Sequence, residues 1–269
     1  MLRRLRSGAR AFISRHRTSA IVRSLHNAAA FVESAYQNEG SDFFRNGERR
    51  VLERLSAIEP RMAFDVGANV GDWAIEAVQI WPSCHVHAFE VAPPTFEAMR
   101  NRLNHAHRSR ITAQCLGLSD AAGTQPMFFF PDHPELTADR LRHEGKTVER
   151  FEAQMERGDD YVERHRIEAI DFLKVDVEGA EYRVLNGFTR TLNAGKIHCL
   201  QFEYGAFSIQ TRVLLADYYA MLRDRFWVGK IYPAAVEFGD YDWRMEDFRF
   251  ANFCAVSRER ADIKRLLES

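Results

Sequence analysis

Met62-Ala63-Phe64-Asp65-Val66-Gly67-Ala68-Asn69-Val70-Gly71 is the stretch that decides the fold. Residues 62–66 read as a short strand, and the glycines at 67 and 71 bound the turn that leaves it. Residues 72–80 follow with apolar positions at helical spacing until Pro82 stops them. A strand that runs through a glycine turn into a helix is the opening unit of a parallel α/β sheet. Downstream, strands are predicted over 85–90, 111–116, 170–177 and 197–203, with a final pair over 226–232 and 250–257. Helices are predicted over 93–103, where Pro93 and Pro94 suit a first turn, and over 151–165, 179–192 and 213–223. Residues 131–146 read as a surface loop. The alternation predicts a doubly wound parallel sheet with helices on both faces, and such sheets bind ligands beyond the carboxyl ends of their strands.

Composition sets the class. At 46% hydrophobic and 28% charged residues, the 269-residue chain is of ordinary globular type. No apolar run approaches the roughly 20 residues of a membrane span. The net charge of −1 is unevenly spread. Arg3, Arg4, Arg6, Arg10, Arg15, Arg17 and Arg23 precede the first acid, Glu33; with these seven charges set aside, the remainder carries −8. An acidic body argues against nucleic acid as a partner. Residues 1–50 are therefore expected to form a basic helical extension and 51–269 the functional domain. Cys84, Cys115, Cys199 and Cys254 form no CxxC pair, so reduced, buried thiols and a cytoplasmic protein are expected.

The turn and its surroundings suggest a ligand. Glu90 closes the second strand, where a carboxylate can accept both hydroxyls of a ribose. Asp65 stands where a dinucleotide loop would carry an early glycine. A carboxylate there repels a pyrophosphate and favours the ammonium and sulfonium of S-adenosylmethionine. An NAD-dependent oxidoreductase and a cofactor-binding module without catalysis remain the alternatives.

The decisive turn, Ala88-Phe89-Glu90 and Phe172-Leu173-Lys174-Val175-Asp176-Val177-Glu178-Gly179 together resemble the FkbM family of methyltransferases. Gln201-Phe202-Glu203-Tyr204 is similar to that family's fifth-strand end, and Val148-Glu149 stands where the family usually has Leu-Asp. The resemblance spans roughly residues 47–257, and its Lys-x-Asp-x-Glu-Gly element is the most specific part. It implies a Rossmann-like class I methyltransferase sheet and O-methylation of sugars in glycans or glycolipids, or of macrolide products. It further implies that Asp65, Gly67, Asn69 and Gly71 hold the methionine end of S-adenosylmethionine and Glu90 its ribose. Leu118, Ser119 and Asp120 would flank the adenine.

Lys174, Asp176 and Glu178 alternate along one strand and so share a face. Asp176 and Glu178 fall at its carboxyl end, and Glu203 ends the neighbouring strand. Asp176, Glu203 and Lys174 are the candidate catalytic residues, with Asp176 also beside the cofactor and Glu178 and Tyr204 toward the acceptor. A base near an acceptor hydroxyl is the expected use of such carboxylates. Asp176 and Glu203 also suit magnesium or manganese, but a metal-free route is favoured and no residue is assigned as a metal ligand. The acceptor, a small molecule or glycan, is expected to meet residues 131–146, 204–207 and 238–248. Leu2, Leu5, Ala9, Phe12 and Ile13 fall on one helical face opposite arginines, which makes residues 1–25 a candidate for peripheral membrane contact.

Overall fold

The computed structural model describes residues 2–139 and 147–269, with side chains from Ser7 onward. It divides into two compact units, residues 1–39 and 40–269. The first unit contains α1 (Leu2–Arg15) and α2 (Ala20–Tyr36), the latter capped by Ser19, whose hydroxyl accepts from the Val22 amide. Leu2 and Leu5, part of the predicted apolar face, lie outside the described side chains.

The second unit begins before the expected boundary at residue 51. The reason is burial: Glu48 accepts hydrogen bonds from the Asn46, Gln201 and Asn252 amides, which ties residues 46–48 into the body. Its helices are α3 (Glu48–Leu55), α4 (Asp72–Ile80), α5 (Pro93–Arg102), α6 (His105–Arg108), α7 (Gly158–Arg164), α8 (Glu181–Gly187), α9 (Thr189–Asn193), α10 (Ser208–Thr211), α11 (Leu215–Leu222) and α12 (Ala261–Glu268). Its strands are β1 (Met62–Val66), β2 (His85–Phe89), β3 (Ile111–Gln114), β4 (Gly117–Ser119), β5 (Gly123–Phe129) and β6 (Glu149–Arg157), then β7 (Ile170–Val175), β8 (Ile197–Tyr204), β9 (Phe226–Ile231), β10 (Val236–Phe238) and β11 (Ala251–Ser257).

Eight strands form the main sheet in the order β10-β9-β11-β8-β7-β1-β2-β3. β1, β2, β3, β7 and β8 run parallel, and β11 is antiparallel to both β8 and β9. The doubly wound α/β fold read from the sequence is therefore present. Successive strand residues feed opposite cores. Ala63, Phe172 and Cys199 join α3, α4 and α12 on one face, while Phe64, Leu173 and Leu200 join α7, α8 and α11 on the other. Burial on both faces explains why these strands read as continuous apolar runs. Strand order reverses between β1 and β7, so the cleft beyond their carboxyl ends is where a ligand is expected.

The helix expected over 151–165 is strand β6 as far as Arg157, and only then helix α7. Phe151, Ala153 and Met155 alternate with Glu152, Gln154 and Glu156, a period of two that outweighs the helix preference of Glu, Ala, Gln and Met. β6 pairs with β4 in parallel and β5 in antiparallel, making a three-stranded second sheet. Because β4 belongs to that sheet, the strand predicted over 111–116 ends at Gln114. The predicted loop at 131–146 includes a short 3-10 turn, Pro134–Leu136, and residues 140–146 lie outside the described part. Cys84, Cys199 and Cys254 are buried free thiols, whereas Cys115 is exposed.

Candidate active site

The turn after β1 carries three left-handed residues: Gly67 at φ +87°, Asn69 at +47° and Gly71 at +85°. Glycine is required at 67 for more than its φ. A β-carbon there would stand 1.7 Å from the Asp176 carbonyl oxygen, and one at 71 would stand 2.9 Å from Met99 Cγ. Gly67 thus lets the turn pack on the Asp176 backbone while it lines the cleft, and Gly71, away from the cleft, leaves room for the Met99 side chain. The amides of Gly67 and Ala68 donate to the Phe89 carbonyl at 2.9 and 2.8 Å, fixing the turn against β2.

Beyond this turn lies a cleft at the carboxyl end of the main sheet. Gly67, Asn69, Glu90, Leu118, Ser119, Asp176 and Glu178 line it. Glu90 accepts from the Asn69 and Ala92 amides at 2.9 and 2.8 Å. Burial nonetheless pushes its carboxyl up to about 7, against the pull of those donors. The Asn69 side-chain oxygen is buried and lacks a hydrogen-bond donor. A cleft lined by Asn69 and by a carboxylate with lone pairs to spare fits an ammonium and a ribose, the two polar ends of S-adenosylmethionine.

The second sheet supplies the cleft's other wall through Gln125, Met127 and Met155. Arg183 on α8 ties it in place, donating to Asp120 at 3.1 Å, Gln125 at 3.2 Å and Asp139 at 3.3 Å. Asp120, expected beside adenine, is committed to this ion pair and does not line the cleft, whereas Leu118 and Ser119 do.

Asp65, Lys174 and Gln201 lie side by side across β1, β7 and β8, buried beneath the cleft on the α3 face. The Lys174 ammonium is 2.8 Å from Asp176 and 3.8 Å from Asp65. Burial opposes its charge, but Asp176, Asp65 and Glu48 hold its pKa above the usual lysine value. Asp65 is fully buried, and burial pushes its carboxyl up to about 6 against the pull of the Lys174 charge. Neither Asp65 nor Lys174 lines the cleft, so Asp65 is not placed to touch a ligand there, as the resemblance had implied. Lys174, expected to be catalytic, is placed to position Asp176.

The acidic rim does assemble. One oxygen each from Asp176, Glu178 and Glu203 lie within 4.8 Å of one another, a grouping able to hold a metal ion. Glu203 is 5% exposed. Burial, then the charges of Asp176, Glu178 and Glu181, hold its carboxyl well above the usual range. Glu178 is held at φ +56° and precedes Gly179 at φ +100°. A non-glycine residue held in the left-handed region stores strain, as functional sites often do. Glu181 stabilises this turn by accepting from the Val177 and Gly179 amides at 3.1 and 2.9 Å. Burial raises its carboxyl to about 8.

Tyr204, expected toward the acceptor, does not line the cleft. Its hydroxyl donates to Glu246 at 2.6 Å, and Glu246 also accepts from Tyr241 and from the Leu215 and Ala216 amides that open α11. Tyr204 therefore anchors residues 238–248, while Trp243 in that segment stands 74% exposed. His85 and His87 on β2 pair with Thr112 and Tyr161. Sequence reasoning missed Glu48, Glu181, Gln201 and Arg183. A period of two back from Glu203 pointed to Gln201; nothing local marked Glu48.

The Methyltransferase FkbM domain family matches residues 65–226, more than half of the chain. The 31-O-demethyl-FK506 methyltransferase FkbM of Streptomyces tacrolimicus is 36% identical over 154 residues, covering 47% of this chain and 58% of that one. Methyltransferase sdnD of Sordaria araneosa is 33% identical over 152 residues, covering 46% and 58%. The chain thus spans less than two thirds of the length of these two relatives. The hexuronic acid methyltransferase AglP of Haloferax volcanii is 28% identical over 173 residues, covering 64% and 69%.

Proposed function

We propose, because the chain belongs to the FkbM methyltransferase family, that it is an S-adenosylmethionine-dependent O-methyltransferase. Its acceptor is a hydroxyl of a saccharide, glycolipid or related secondary metabolite. The observation that carries this reading is the juxtaposition of Asn69 and Glu90 with Asp176 and Glu178 in one cleft, and Glu203 at its rim. One relative's name carries 31-O-demethyl-FK506 and another's hexuronic acid, which supports a small oxygen-bearing acceptor.

In this reading Asn69 and the Gly67 turn hold the methionine end of the cofactor, Glu90 its ribose, and Leu118 and Ser119 its adenine. When bound, S-adenosylmethionine supplies an electrophilic methyl group and the positive charge of a sulfonium. Glu203, as carboxylate, accepts the acceptor's hydroxyl proton, for its surroundings make it a stronger base than an ordinary glutamate. Asp176, fixed by Lys174, and Glu178 orient the hydroxyl, which matters because alignment supplies much of the rate. The exposed Trp243 and Tyr241 offer aromatic faces to a sugar.

Calorimetric titration with S-adenosylmethionine, S-adenosylhomocysteine and NAD tests the cofactor; binding of NAD alone would overturn the reading. Glu90→Gln should weaken S-adenosylmethionine by roughly 10–100-fold, the loss of charge-assisted hydrogen bonds worth about 1.5–3 kcal/mol. Ribose hydroxyls favour the ionised form of Glu90, so wild-type affinity should fall as the pH drops below about 7. The Gln variant should lose that pH dependence.

A further inference from the structure

The first unit leaves an apolar surface uncovered. Seven of the thirteen large hydrophobic side chains exposed among the described residues fall between Phe12 and Tyr36. On α2, Ile21, Leu25, Val32 and Tyr36 recur at steps of four, seven and four residues, which is one stripe of a helix. They are 76%, 62%, 64% and 75% exposed. On α1, Phe12 and Ile13 are also exposed, close in sequence to Arg10, Arg15 and Arg17. A contiguous apolar stripe of this kind marks an interaction site.

Charge identifies the partner. Seven arginines precede the first acid at Glu33, whereas the rest of the chain is acidic. A surface that takes apolar side chains and guanidinium groups together is a bilayer with anionic headgroups: the acyl boundary receives one set and the phosphates the other. No helix among the described residues is long and apolar enough to cross a membrane, so α1 and α2 would lie along the interface. We propose that these two helices form a docking surface for an anionic phospholipid bilayer. The unit would then hold the enzyme where lipid-linked acceptors are concentrated, but the docking itself does not depend on the proposed methylation.

The test uses the full chain sedimented with vesicles of phosphatidylcholine alone and of phosphatidylcholine mixed with phosphatidylglycerol. Partition onto the mixed vesicles should be at least ~10-fold stronger and should fall at high salt, where the Debye length shrinks to a few ångströms. Leu25→Glu with Val32→Glu, and separately Arg10→Glu with Arg15→Glu, should each weaken partition by ~10-fold or more. Thermal unfolding and S-adenosylmethionine affinity should stay at wild-type values, which separates lost docking from lost folding. Equal partition onto both vesicle types, or wild-type partition by both variants, would overturn the proposal. So would a lipid-independent dimer that the Leu25→Glu/Val32→Glu variant abolishes, or RNA binding without vesicle binding.

Discussion

Glu203→Gln should lower turnover by roughly 10²–10⁴-fold, the usual worth of a positioned proton acceptor, while S-adenosylmethionine affinity changes little. Glutamine keeps the size and one acceptor oxygen of the side chain but cannot take the proton. The readout is release of S-adenosylhomocysteine with the first acceptor that supports wild-type turnover among hexuronic acids, methyl glycosides and hydroxylated macrolides. Glu203 is buried beside Asp176 and Glu178, and its carboxyl titrates well above the usual range. The active carboxylate therefore accumulates as pH rises, and wild-type turnover should climb through that titration. The variant should show a flat profile over the same interval. Asp176→Asn should also cost activity and keep a rising pH profile, displaced to lower pH because the Asp176 charge helps raise the Glu203 carboxyl. A Glu203→Gln enzyme with wild-type turnover would remove Glu203 from the chemistry.

The same three carboxylates could instead ligate a divalent ion, and the two routes give opposite results. Oxygen donors of this kind suit magnesium or manganese, which would polarise the acceptor oxygen and lower its pKa. The metal-free route fits the charge already present: Lys174 neutralises part of the acid beneath the rim, and the cofactor's sulfonium would neutralise more. Exhaustive EDTA treatment should therefore leave wild-type activity intact. Loss of activity restored by magnesium would make Asp176, Glu178 and Glu203 ligands.

The sequence was legible where physics acts locally. The run from Met62 to Gly71 announced a strand, a turn and a helix because each depends on near neighbours. The period of two in Lys174, Asp176 and Glu178 was read as one strand face, but β7 ends at Val175, so Asp176 and Glu178 reach the cleft from the turn that follows. What escaped depends on distant partners. The family resemblance put Asp120 beside the adenine, yet Arg183 claims it from another element. Tyr204 follows Glu203 and so points to the opposite face of β8, where Glu246 receives its hydroxyl. Glu48 precedes the glycine turn by almost twenty residues and meets Gln201 and Asn252 only after the chain has closed. The strand at β6 was a different failure: its alternation was visible, but helix-favouring residues at the same positions masked it.

Lys174→Met should destabilise the protein by about 3–5 kcal/mol, the cost of stranding buried charge when one partner of an ion pair is removed. At the size of this domain the loss corresponds to a Tm lower by roughly 6–20 °C. Most of the penalty falls on Asp65, which is fully buried and has no other cation at hand among its described neighbours. Asp176 is less affected because its side chain is 37% exposed and water can screen it. The pH dependence follows from Asp65. Its carboxyl already titrates at about 6 in the folded protein, above its value in the unfolded chain. A folded state that binds a proton more tightly than the unfolded one loses stability as pH rises through the folded pKa. Without Lys174 that pKa rises further, so the deficit of the variant should be small at pH 5 and grow toward pH 8. The double variant Lys174→Met with Asp65→Asn removes both charges and should recover most of the lost stability. If the double variant is no more stable than Lys174→Met alone, the row across β1 and β7 is not the ion pair that holds this floor of the site together.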